Sequence, residues 1–197
     1  MDTKKILMLA GAVFAVTAVA GPAAASGANW THETEPLEKH VELGLSGGEI
    51  FEFGPEEEES GMACFVHATL TTEGGNTAQI TEFEVEGCVF GFGELAECEL
   101  AGFEPLGLPW AVDVNANDLT VTEADIRRTF DAGCPVAEVE STVASLGLTP
   151  NEEVHKITEF EMLGGGTAHL TPAATEPYQA FGSFTVDGEN SGTYGIG

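Results

Sequence analysis

From residue 37 to 45 the chain alternates: every second residue except Lys39 is apolar and those between are mostly polar. That is the period of a strand with one buried face and one wet face. Ser46-Gly47-Gly48 reads as a turn, residues 50–53 as a short strand, and Gly54-Pro55 as a break. The same reasoning predicts strands over 63–71, 79–86, 95–103, 110–114, 119–130, 137–146, 156–163, 167–171, 181–186 and 192–196. Glycine, proline and asparagine clusters separate most of them. No window carries the stripe of a helix. The fold class expected is therefore all-β, an antiparallel β-sandwich or barrel of about ten to twelve short strands.

The first 25 residues stand apart from this pattern. Lys4 and Lys5 precede an uncharged apolar stretch from Ile6 to Ala20, followed by Gly21-Pro22 and Ala23-Ala24-Ala25. This is the layout of a bacterial-style signal peptide cut after Ala25. The apolar run is shorter than the roughly 20 residues a membrane span needs, and small residues rather than charges follow it. The expected organisation is a signal peptide over 1–25, a flexible lead over 26–36 and a single β domain over 37–197. The expected location is secreted, outside the cell or in its envelope.

Export changes the meaning of the four cysteines, because thiols outside the cytoplasm oxidise and stay paired. Cys64, Cys88, Cys98 and Cys134 allow three pairings. Cys88 and Cys98 lie equidistant from Gly93, and a glycine turn there would set them opposite each other. Cys64 with Cys134 follows by elimination. No C-x-x-C pair is present, so zinc and a redox dithiol are not expected.

Residues 80–87, Ile-Thr-Glu-Phe-Glu-Val-Glu-Gly, are echoed at 157–164 as Ile-Thr-Glu-Phe-Glu-Met-Leu-Gly. Were the echo a duplication, the two strands would hold equivalent places in the fold.

The chain has 33 acidic against 6 basic residues, a net charge of −27. Losing Asp2, Lys4 and Lys5 with the leader leaves 32 against 4. Such a field repels nucleic acid and anionic membranes, so neither is an expected partner. The partner class it admits is a weakly held divalent cation. Solvated carboxylates that keep a monomer soluble account for most of the charge, the run Glu56 to Glu59 included. The segment 113–118 imitates the start of an EF-hand loop, but its sixth position is Asp118 and its twelfth is Ala124. A turn explains it with less, and neither a metal site nor a cofactor is expected.

Neither an H-E-x-x-H motif nor a Walker loop is present. The histidines, His32, His40, His67, His155 and His169, form no i, i+4 pair. Arg128 shares parity with Ile126 and Phe130, which turns it inward and makes it a buried ion-pair partner or a ligand contact. Trp110, after Gly107-Leu108-Pro109, starts a strand as a core plug or a ligand-facing aromatic.

Cys88 and Cys98 about a glycine turn, Gly-Leu-Pro-Trp at 107–110 and Gly133-Cys134-Pro135 together resemble a group of uncharacterised secreted β-rich proteins of actinobacteria. The resemblance spans about residues 60–146 and implies an antiparallel β-fold with paired cysteines. It carries no activity and no site residues. The leading expectation is a non-enzymatic extracellular or envelope-associated domain, structural or binding. Its rivals are a barrel or sandwich holding a small apolar molecule or glycan, and a hydrolase using two carboxylates.

Overall fold

A computed structural model describes residues 28–32, 35–55, 59–115, 118–152, 157–172, 174–187 and 191–196. The expected signal peptide lies outside the described residues, as do most of the run Glu56 to Glu59, the tip of the 113–118 turn and His155. The strands are β1 (Trp30–His32), β2 (Glu35–Pro36), β3 (Val41–Phe53), β4 (Ser60–Thr72), β5 (Thr77–Phe92), β6 (Leu100–Leu106), β7 (Trp110–Val114), β8 (Leu119–Phe130), β9 (Glu138–Glu152), β10 (Ile157–Thr171), β11 (Ala174–Val186) and β12 (Tyr194–Ile196). One 3-10 turn, Gly93–Leu95, follows β5.

Strands β3, β4, β5, β7, β8, β9, β10 and β11 pair in chain order, and β11 returns to β3. The result is a closed, eight-stranded, up-and-down antiparallel barrel. Closure removes sheet edges from most of the wall, and the alternation read in the sequence becomes lumen against solvent. β12, β1 and β2 form a separate three-stranded sheet.

Several sequence expectations change. Ser46-Gly47-Gly48 is no turn but the middle of the 13-residue strand β3. A Cβ on Gly47 would stand 1.9 Å from the Ser183 carbonyl oxygen, and one on Gly182 would stand 2.0 Å from that of Gly48. The glycines let β3 and β11 approach closely, a role that looks like a turn signal in sequence. Part of the lead expected to be flexible is tied down: Trp30 is buried, and β1 pairs with β12. The strand expected over 95–103 begins later, at Leu100. Segments 156–163 and 167–171 merge into one 15-residue strand, β10, from Ile157.

The disulfide pairing is also corrected: Cys64 bonds Cys88, and Cys98 bonds Cys134. β5 runs on past Cys88 to Phe92, and the chain reverses only at Gly93, whose φ of +61° suits glycine. Cys88 therefore meets its cross-strand neighbour Cys64, with their Cα atoms 3.9 Å apart. Cys98, beyond the turn, is left to the loop after β8.

The echo falls on β5 and β10, the third strands of two four-strand meanders. β3, β4 and β5 start at 41, 60 and 77, while β8, β9 and β10 start at 119, 138 and 157. In each copy the threonine of Ile-Thr-Glu-Phe is the extra, unopposed residue of a bulge against the preceding strand: Thr81 against β4 and Thr158 against β9. The bulge shifts parity, so Ile80 and Phe83, like Ile157 and Phe160, both face the core although three residues apart.

Candidate functional site

Inward-facing side chains fill the barrel in two zones. The apolar zone packs Leu45, Phe83, Trp110, Leu148, Met162 and Phe184 about a residual void of about 20 Å³. That is room for about one water molecule. Trp110 packs its ring 5.3 Å from Phe83 and donates its indole N–H to the Leu106 carbonyl at 2.8 Å. It is a core plug with its polar atom satisfied.

The second zone is polar and centres on Arg128, which is 0% exposed. Its Nη2 donates to Glu49 Oε1 at 2.8 Å, and Glu49 is itself only 2% exposed. Nη1 donates to Ser141 Oγ at 3.2 Å, and that hydroxyl donates to the Ile126 carbonyl. The guanidinium carbon lies 4.1 Å from the centroid of Phe51 and 5.9 Å from that of Tyr178. A desolvated cation over an aromatic face gains about 2 kcal/mol, and the carboxylate supplies the opposite charge. Burial pulls the Arg128 pKa down, but the negative charge and hydrogen bond of Glu49 outweigh it, so the pKa is raised and the cation persists. Burial pushes the Tyr178 hydroxyl up to about 12, with Arg128 pulling the other way. Glu49 Oε2 and Arg128 Nε have no hydrogen-bond partner among the described residues.

This cluster joins β3, β8, β9 and β11 across the lumen. Sequence parity turns Arg128 inward, but Glu49, Ser141 and Tyr178 are absent from the sequence-based candidates. Glu49 shares parity with Phe51 and Phe53 on the buried face of β3, a signal hidden by reading Ser46-Gly47-Gly48 as a turn.

Arg127 faces out. It meets Glu104 at 2.9 Å and Glu140 at 3.0 Å, with Glu138 at 3.9 Å. The Glu140 hydrogen bond is the leading cause of its raised pKa. Partial burial, then the charge of Glu59, raises the Glu52 pKa. His67 contacts Ser46 at 2.8 Å and Glu86 at 3.2 Å, and His169 contacts Thr175 at 3.2 Å. Among the described residues no group of three or more His, Cys, Asp or Glu could hold a metal, and no helix is long and apolar enough to cross a membrane.

The wall is incomplete in one place. β7 has 5 residues and pairs only with the Thr77–Ile80 part of the 16-residue β5. Beyond Ile80 the next strand round the barrel is β6, which pairs with β8 on its far side and not with β5. Between them lies a cleft of about 750 Å³, with Glu86, Gly87, Cys88 and Val89 on one lip and Glu97 to Phe103 on the other. Cys88 and Cys98 stand on opposite lips, and each is bonded away from the cleft.

The protein is thus a disulfide-bonded, eight-stranded up-and-down β-barrel with a filled lumen and one open seam. Set against protein-family models, curated proteins and solved structures, the chain matches none of them.

Proposed function

We propose that this chain is an exported, non-enzymatic barrel domain that acts outside the cytoplasm as a binding module through its outer wall. The observation that carries this reading is the filled lumen. Ligand pockets for small molecules enclose about 300–1,000 Å³, whereas the void at the apolar centre of this barrel is about 20 Å³. A small apolar molecule could enter only by displacing Trp110, Phe83 or their neighbours from a close-packed core. The polar zone is closed by its own ion pair, in which the Arg128 cation is already bound to Glu49. Two disulfides agree with an oxidising location, where such bonds persist. The leader at 1–25 supplies the route there.

Thermal melting of the mature protein against fluorescent fatty acids, a glycan panel, calcium and short peptides tests the reading, because a ligand of the native state raises the midpoint. The expected result is no shift with fatty acids and a shift with a ligand of the outer wall. Saturable fatty-acid binding that quenches tryptophan fluorescence would overturn it.

A further inference from the structure

The open seam has the properties of a strand acceptor. In an antiparallel sheet alternate backbone groups of a strand point to each neighbour, so a strand paired on one side presents a row of free donors and acceptors on the other. β5 beyond Ile80 is paired to β4 alone, and β6 to β8 alone. Among the described residues no backbone hydrogen bond joins the two. Pro105 within β6 lacks an N–H, which marks an edge strand in sequence. At the narrow end Phe83 and Phe103 stack with centroids 5.9 Å apart, and from there the lips splay into the cleft.

The lips also carry a distinct chemistry. On the β5 lip Val89 is 61% exposed, and off the lip, on β4 opposite Gly87, Phe65 is 53% exposed; both are large apolar groups left in solvent. Around them stand the exposed carboxylates Glu84 and Glu86 of β5 and Glu97 and Glu99 of the facing lip. No lysine or arginine lines the cleft among the described residues, and Arg127 and Arg128 are engaged elsewhere. Glu86 meets His67 at 3.2 Å, and among the described residues no lysine or arginine forms an ion pair with Glu84, Glu86, Glu97 or Glu99.

We propose that the β5–β6 seam binds an extended basic peptide by strand addition, with main-chain bonds to the β5 edge, lysine or arginine side chains over the carboxylates and apolar side chains against Val89 and Phe103. The proposal rests on the outer-wall reading and names its site and partner class. Main-chain pairing supplies affinity in this mode and alternate side chains supply selectivity. The same carboxylates that protect an exposed edge from its own kind select a cationic strand.

The test uses the mature protein and three end-capped heptapeptides: alternating lysine and valine, the same with central prolines, and alternating glutamate and valine. Fluorescence polarisation gives affinity and residue-resolved amide exchange gives location. The lysine peptide is expected to bind and to protect amides of residues 82–89, the proline peptide to bind at least about tenfold more weakly, and the glutamate peptide not at all. The variant Glu84→Lys/Glu86→Lys/Glu97→Lys changes exposed positions only, so it should keep its melting midpoint and lose at least about tenfold in affinity. Equal binding of the proline peptide, unchanged affinity in the variant, or no binding of the lysine peptide would overturn the seam. Protection on another outer face would overturn the seam while leaving the outer-wall reading standing; fatty-acid binding in the lumen would overturn that reading itself.

Discussion

Replacing Glu49 with leucine leaves the Arg128 guanidinium charged inside the barrel with no opposing carboxylate. Arg128 is 0% exposed and its direct charge partner is Glu49 at 2.8 Å, so no solvent screens the loss. Removing one member of a buried pair costs about 3–5 kcal/mol, because the desolvation of the survivor is no longer offset. The remaining Ser141 hydrogen bond and the Phe51 ring keep the cost within that range. For a domain of this size each kcal/mol lowers the melting midpoint by about 2–4 °C, so Glu49→Leu should melt about 6–20 °C below the parent. The double variant Glu49→Leu/Arg128→Met removes both charges at similar volume and should recover most of the loss, to within about 1 kcal/mol of the parent or better. Urea unfolding followed by fluorescence of the buried Trp30 and Trp110 measures both, with unchanged m-values showing that the comparison is of stability alone. A single variant within about 1 kcal/mol of the parent, or a double variant no more stable than the single, would refute the buried-pair reasoning.

Three further outcomes are expected. The Tyr178 pKa is raised from its ordinary value of 10.0 to about 12, so its contribution to stability is whole below pH 10 and is lost as pH rises towards 12. That window is worth about 2–3 kcal/mol, and Tyr178→Phe should abolish this part of the alkaline destabilisation in urea melts taken across it. Non-reducing peptide mapping should recover Cys64 linked to Cys88 and Cys98 linked to Cys134. With partners 24 and 36 positions apart in sequence, breaking either bond by paired serine substitution should cost about 3.5 kcal/mol on chain-entropy reasoning, seen as a lower urea midpoint. Trp110→Ala should cost about 3–5 kcal/mol by opening a core cavity, and a loss under 1 kcal/mol would show that the indole does not fill the lumen.

The sequence makes the all-β class legible because alternation is a local property: β7 and β8 fall at 110–114 and 119–130, where period and turn residues predict them. Closure is not local. Nothing in β11 announces that it pairs with β3, and the glycines that permit their approach, Gly47 and Gly182, carry the same signature as a turn. That misreading cut β3 in two and hid the inward parity of Glu49, so Arg128 could be turned inward but not given its partner. The cysteines show the same limit. Spacing about a glycine favours Cys88 with Cys98, but the register of β4 and β5, set by three bulges, decides which sulfur lies opposite. The seam escapes sequence reading because it depends on β7 being shorter than β5, a mismatch visible only once the wall is assembled.

Residue-resolved amide exchange of the free protein tests most directly whether the barrel is closed inside and open at the β5–β6 seam. Slow exchange is predicted for the paired amides of β8, β9 and β10, buried about the filled lumen. From residue 82 to 85, where β5 keeps regular register with β4, protection should alternate: slow where the N–H faces β4 and fast where it faces the seam. Uniform slow exchange through 82–85 would mean that β5 is paired on both sides, and the account of an open acceptor edge would be wrong.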